Sequence, residues 1–305
     1  MPGESASLER TSQFTALPAD WVSPLTGLGQ IMFQNSPLTG VFFLTGIAVV
    51  SPLMAAGAAV GAAIGTLTAY LLRYDRAEIR DGLYGFNAAL VGIAMLANYE
   101  FQVLTVVIAS VACAISTPLA REMRRQASVP TYTTPFIVTT WLGLLVAHRL
   151  NVPAVVHSQA AIPDKLDLTT AIIAGISEVM FQANVLTGAM FVVGIFLCSW
   201  KGAVWAIIGS MVGLLIAMSH NDPVENLSLG IYGYNAALAA MAMALYRRSV
   251  MLPIVAAIIS VPITENFPLI GLPTLTAPFV LACWAVIAMY QIDFLLNRPQ
   301  QAGTG

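Results

Sequence analysis

Residues 175–197 read GISEVMFQANVLTGAMFVVGIFL, and residues 27–49 read GLGQIMFQNSPLTGVFFLTGIAV. Each run is apolar enough to lie in a membrane, and the two are copies. At a constant offset of 148, Gly27, Phe33, Gln34, Leu38, Thr39, Gly40, Phe43 and Gly46 match Gly175, Phe181, Gln182, Leu186, Thr187, Gly188, Phe191 and Gly194. The same offset aligns GLYGFNAAL (82–90) with GIYGYNAAL (230–238), and an offset of 143 aligns PTYTTPF (130–136) with PTLTAPF (273–279). The chain is written twice, and its remainder reads as scaffolding that holds the copies together.

Of 305 residues, 58% are hydrophobic and 9% charged, with a mean hydropathy of +0.79. Soluble domains carry about 25% charged residues, so the composition is that of an integral membrane protein. Long runs rich in Gly and Ala and broken by Pro suit membrane helices, not the period-two alternation of barrel strands. A net charge of −2 gives no footing for nucleic acid. Cys113, Cys198 and Cys283 all fall in apolar runs, so they are expected to be buried packing residues, with neither a disulfide framework nor a metal site. No cofactor motif is present.

The apolar segments lie at about 25–50, 53–72, 83–97, 101–120 and 134–149, then 173–198, 201–218, 231–246, 250–263 and 276–296. A spanning helix needs about 20 residues, so the short segments are expected to be half-helices, and the first segment of each half to break in two. The expected fold is all-α: about ten transmembrane helices plus two half-spanning segments, in two inverted repeats of five crossings around a central pore. The divisions are a cytoplasmic tail (1–22), a first repeat (23–149), an extracytoplasmic connector (150–172), a second repeat (173–296) and a tail (297–305). With the N-terminus cytoplasmic, 11 of the 13 basic residues fall inside, leaving Arg149 and Lys165 outside. That obeys the positive-inside rule, puts both ends in the cytoplasm, and suits the cytoplasmic (inner) membrane. An odd number of crossings per half forces the copies to enter the membrane in opposite senses.

Glu178 is the acid placed inside a membrane segment without Lys or Arg near it in sequence, a costly position that marks function by default. The plain alternative is a carboxylate capping a helix start. Gln30 fills the matching place, and a carbonyl oxygen at both symmetric positions suits a solute with several N–H donors. Gln30 with Phe33, and Glu178 with Phe181, are i,i+3 pairs expected to share a helix face. Phe86 with Leu90 and Tyr234 with Leu238 are i,i+4 pairs, and Val179 adjoins the acid. Asn87 and Asn235 are expected to satisfy backbone groups where a helix starts or breaks. Thr133 and Thr276 precede Pro135 and Pro278, so each either lines a pore beside a freed carbonyl or sits at a proline kink. His148, His157 and His220 fall at ends and loops without ligand spacing and are expected to be solvated.

The doubled pattern Q/E-x-x-F with L-x-G, then G-x-Y-G-F-N, then P-x-x-T-x-P-F resembles the urea transporter family over roughly residues 25–145 and 173–290. The resemblance implies a homotrimer in membrane lipid with one continuous pore per subunit. Urea would pass in single file down its gradient, without a cofactor and without chemistry. The family's pore glutamine and glutamate fall on Gln30 and Glu178. Its slot aromatics and leucines fall on Phe33, Phe86, Leu90, Phe181 and Leu238, and its central threonines on Thr133 and Thr276. One departure is Tyr234 in the second GFN motif, where a hydroxyl narrows the slot or adds a hydrogen bond. The rival reading is a proton-coupled carrier for a short amide or amine with Glu178 titrating. An intramembrane enzyme is disfavoured by one isolated acid without a membrane-embedded histidine. A water pore is disfavoured by the lack of Asn-Pro-Ala.

Overall fold

The computed structural model describes residues 21–156 and 166–296. Residues 1–20 of the expected N-terminal tail, the expected C-terminal tail, and residues 157–165 of the connector with His157 and Lys165 lie outside the described residues. Among the described residues the chain is all helical, with one isolated bridge between Tyr99 and Ala154. The first half gives α1 (Ser23–Gln30), α2 (Pro37–Val50), α3 (Pro52–Leu71), α4 (Arg76–Arg80), α5 (Phe86–Asn98), α6 (Val103–Gln126) and α7 (Thr134–Arg149). The second gives α8 (Leu168–Glu178), α9 (Val185–Cys198), α10 (Trp200–Ser219), α11 (Val224–Ser228), α12 (Gly233–Tyr246), α13 (Met251–Asn266), a 3-10 turn (Phe267–Ile270) and α14 (Ala277–Leu296). Five stretches are long and apolar enough to cross a membrane: α3, α6, α10, α13 with its 3-10 turn, and α14 as far as Phe294. Shorter apolar helices accompany them: α2, α5, α8 and α9. The chain is a multi-pass membrane protein.

The first segment of each half breaks where expected, though proline is not the cause. Ser36 caps α2 through Thr39 N–H at 3.2 Å, and Asn184 caps α9 through Thr187 N–H at 3.1 Å. The second half has Val185 where the first has Pro37, and it breaks at the same place. A side-chain cap that satisfies an orphan N–H is common to both. Helix boundaries moved where charge or capping overrides the apolar pattern. The Asp167 carboxylate takes the N–H groups of Thr169 and Thr170 at 3.0 and 3.4 Å, starting α8 ahead of residue 173. Charged residues up to Arg125 continue α6 to Gln126, past residue 120.

Two glycine pairs set the close packing. A Cβ on Gly40 would lie 1.9 Å from the Leu25 carbonyl oxygen, and one on Gly188 would lie 2.2 Å from that of Ile173. Only glycine lets α1 fold back on α2, and α8 on α9, at this separation. Gly82 and Gly230, at φ 74° and 77°, turn the chain ahead of α5 and α12 while touching the backbone at Gly27 and Gly175. These crossings bring Gly27 of α1 and Gly175 of α8 against the turns ahead of α5 and α12.

Contacts between the halves are exchanged. The Thr39 hydroxyl donates to Gly194 O at 2.8 Å, and that of Thr187 to Gly46 O at 2.9 Å. The rings of Phe43 and Phe191, themselves matched, meet at 4.6 Å. Trp141 Nε1 donates to Pro273 O at 2.9 Å, and Trp284 Nε1 to Pro130 O at 2.8 Å. Such reciprocity is what an isologous contact between two copies of one unit requires. Cys113 and Cys283 are buried as expected, but Cys198 is exposed because it ends α9.

Candidate functional site

The half-helices α1 and α8 end at the two residues singled out in sequence. Gln30 is the last residue of α1 and Glu178 the last of α8. Glu178 therefore does not cap a helix start. A carboxylate at a helix C-terminus opposes the helix dipole, so that alternative is removed. The i,i+3 reading also fails. Phe33 and Phe181 lie beyond their helices in the left-handed region, at φ 61° and 62°. Phe33 N–H reaches Gln30 O at 3.0 Å and Gln34 N–H reaches Gly29 O at 3.0 Å. Phe181 and Gln182 repeat this onto Glu178 O and Ser177 O at 3.0 and 3.2 Å. The pattern is a Schellman closure, which normally has glycine at the left-handed position.

An aromatic residue there costs about 1–3 kcal/mol, a strain that clusters at functional sites. Its occurrence twice, at matched positions, marks the two rings. The carbonyl beside each ring is covered too. Gln34 Nε2 donates to Met32 O at 2.7 Å, and Gln182 Nε2 to Met180 O at 3.0 Å. Backbone interrupted inside a membrane is tolerated only when satisfied internally, and these glutamines do that.

Gln30 and Glu178 are both half-buried. Gln30 Nε2 donates to the Asp81 carbonyl at 2.7 Å. Because that partner is an acceptor, the amide nitrogen must face it, and Oε1 remains as the free end. Among the described residues no cation pairs with the Glu178 carboxylate. Each half thus presents an oxygen-bearing end beside a strained aromatic ring.

The centre lies between the halves. Thr133 and Thr276 are buried with their hydroxyls 2.7 Å apart. Pro135 and Pro278 occupy the first turns of α7 and α14, where a missing N–H costs nothing, so neither the kink nor a proline-freed carbonyl is present. The Phe33 ring packs edge-on against Tyr132 and Phe279, at 6.3 and 6.1 Å. Tyr132 adjoins Thr133 and shares its left-handed backbone, φ 46°, with the matching Leu275 at 45°. The Tyr234 hydroxyl donates to Leu275 O at 2.7 Å, next to Thr276. The hydroxyl is thereby engaged with the backbone. Phe86 and Leu90 lie on α5, and Tyr234 and Leu238 on α12, in the apolar cluster that also takes in Val179 and Phe181.

Asn87 Oδ1 accepts from Phe136 N at 3.1 Å and Asn235 Oδ1 from Phe279 N at 3.2 Å. The asparagines satisfy helix starts as expected, but those of α7 and α14, not their own. Sequence reading missed Tyr132, Phe279, Leu275 and Asp81. The first three sit inside the doubled motif, which was the available signal; nothing in sequence marked Asp81. His148 is exposed as expected, whereas His220 is not simply solvated: its Nδ1 lies 2.8 Å from Glu265 Oε1.

The family model described as "Urea transporter" matches residues 21–291. The chain is 31% identical to urea transporter 1 of Ovis aries over 288 residues, covering 86% of this chain and 74% of that protein. The figures for urea transporter 1 of Capra hircus are the same: 31% identity, with 86% and 74% covered. Urea transporter 1 of Rattus norvegicus is 29% identical over 243 residues, covering 73% of this chain and 62% of that protein.

Proposed function

The chain belongs to the urea transporter family, and on that premise we propose that it is a passive urea channel of the cytoplasmic membrane, working without a cofactor. The carrying observation is the matched pair of half-helix ends, Gln30–Phe33 and Glu178–Phe181, together with the buried Thr133–Thr276 pair that joins the two halves. Urea is flat and neutral, with four N–H bonds and one carbonyl. Gln30 Oε1, the Glu178 carboxylate and the threonine oxygens replace water on its donors. The rings of Phe33, Phe86 and Phe181 admit a plate and exclude bulk. Leu90, Leu238, Val179 and Tyr234 complete apolar walls that offer a hydrated ion no substitute shell.

In this reading the repeats, 23–149 and 173–296, enter the membrane in opposite senses. The reciprocal tryptophan and threonine contacts support a two-fold relation between them. Both termini face the cytoplasm, and three subunits associate in lipid, each with its own pore. Proteoliposomes in a stopped-flow shrinkage assay are expected to take up urea faster than protein-free vesicles; equal rates sink the reading.

Tyr234→Phe tests the departure from the family motif. Its hydroxyl is spent on Leu275 O, so its loss is expected to lower stability by about 1 kcal/mol, read as a lower unfolding midpoint in detergent. Urea permeability is expected to change by less than about twofold, under about 0.4 kcal/mol of barrier.

A further inference from the structure

The two halves treat one tyrosine differently. In the first, Tyr84 donates to Glu78 Oε2, and Arg124 Nη2 reaches that oxygen and the tyrosine oxygen, each at 3.0 Å. The acid is balanced within its own cluster. In the second, the matching Tyr232 donates to Asp222 Oδ1 at 2.9 Å. Among the described residues no arginine arrives; Asn226, at the position that matches Glu78, donates Nδ2 to the Tyr232 oxygen at 3.4 Å. The helix corresponding to α6 is α13, which stops at Asn266 before Pro268, and residues 219–230 and 264–275 contain neither Lys nor Arg.

What arrives is His220, the residue after α10, with Nδ1 2.8 Å from Glu265 Oε1 in the last turn of α13. Asp222 Oδ2 is fully buried and has no hydrogen-bond partner among the described residues. An unpaired buried acceptor costs about 1–3 kcal/mol, more when charged. An imidazolium balances one of the two carboxylates, not both. A ligand atom from each of His220, Asp222 and Glu265 lies within 4.8 Å of the others.

We propose that His220, Asp222 and Glu265 bind a divalent transition-metal ion of the zinc type, which supplies the positive charge that Arg124 supplies to the tyrosine–acid cluster of the first half. Zinc bonds to nitrogen and oxygen of about 2.0–2.2 Å put tetrahedral ligand atoms about 3.4 Å apart, so gaps of up to 4.8 Å close by at most about 1.4 Å and the His220–Glu265 pair, now at 2.8 Å, opens by about 0.6 Å. His220 is 46% and Glu265 17% exposed, which leaves room for water as a fourth ligand. Tyr232 orients Asp222 by donating to Oδ1 and leaves Oδ2 for the ion. The imidazole favours zinc over magnesium and calcium, which take oxygen ligands. Binding ties the end of α10 and the turn before α11 to the end of α13.

The test is calorimetric titration of ZnCl2 into tag-free, chelator-treated protein in detergent, with CoCl2 absorbance in parallel as a spectroscopic report of nitrogen–oxygen coordination. One ion per subunit is expected, undisturbed by equimolar MgCl2. Asp222→Asn and Glu265→Gln are expected to weaken zinc by more than about 100-fold, beyond the loss typical of second-shell changes, and Tyr232→Phe by about 10-fold. His220→Gln alters an exposed side chain with least risk to the fold, and must also abolish the cobalt spectrum. Zinc affinity that survives these ligand substitutions, a stoichiometry far below one, or equal competition by magnesium overturns the proposal.

Discussion

Glu178→Leu is expected to bring the urea permeability of proteoliposomes down to that of protein-free vesicles, and Glu178→Gln to keep a measurable share of it. Leucine fills the space at the end of α8 without an acceptor. A buried donor left unpaired costs about 1–3 kcal/mol. Two urea N–H bonds therefore add about 2–6 kcal/mol to the barrier, from tens to many thousandfold in rate. Glutamine retains a carbonyl oxygen, and the protein already uses glutamine at the matching position, where Gln30 anchors its nitrogen on Asp81 O at 2.7 Å. The same variant separates the rival mechanism. A proton-coupled carrier with Glu178 as its titrating group would lose gradient-driven uptake in Glu178→Gln, while a channel keeps part of its flux with weaker pH dependence. Measuring flux with and without an imposed pH gradient decides between them.

The duplication was legible because backbone necessity wrote it into residue identity. Gly40 and Gly188 leave less than 2.5 Å for a Cβ, so nothing else fits, and identity at an offset of 148 follows. The pairing of Gln30 with Glu178 followed from the same offset. The local geometry around them was hidden. Three apolar residues follow each of Gln30 and Glu178 before the polar break at 34–36 and 182–184, so periodicity does not show that the helix has already ended. Phenylalanine in a left-handed turn contradicts propensity, which reserves such positions for glycine. Sequence-level rules fail in this way at strained functional positions. The His220–Glu265 contact was invisible for another reason: 45 residues separate the partners, and no local spacing encodes a meeting of two helix ends.

Valine substitutions at Thr133 and Thr276 are expected to rank in opposite orders for stability and for flux. The hydroxyls lie 2.7 Å apart in a fully buried setting. Either single substitution strands the other hydroxyl, at a cost of about 1–3 kcal/mol, whereas replacing both with an apolar group of the same shape is nearly neutral. The double variant is thus expected to melt close to the parent and each single variant below it. Transport runs the other way. One remaining hydroxyl, released from its partner, can still accept a urea N–H or donate to its carbonyl, so each single variant is expected to lose about tenfold or less. With both gone, urea crosses an apolar waist with its donors unpaired, and the same 1–3 kcal/mol per group brings the loss to about 100-fold. If the pair served only to hold α7 against α14, flux would follow stability and the double variant would recover. The crossing of the two orders, read from unfolding midpoints and stopped-flow rates on the same preparations, assigns the hydroxyls to the solute.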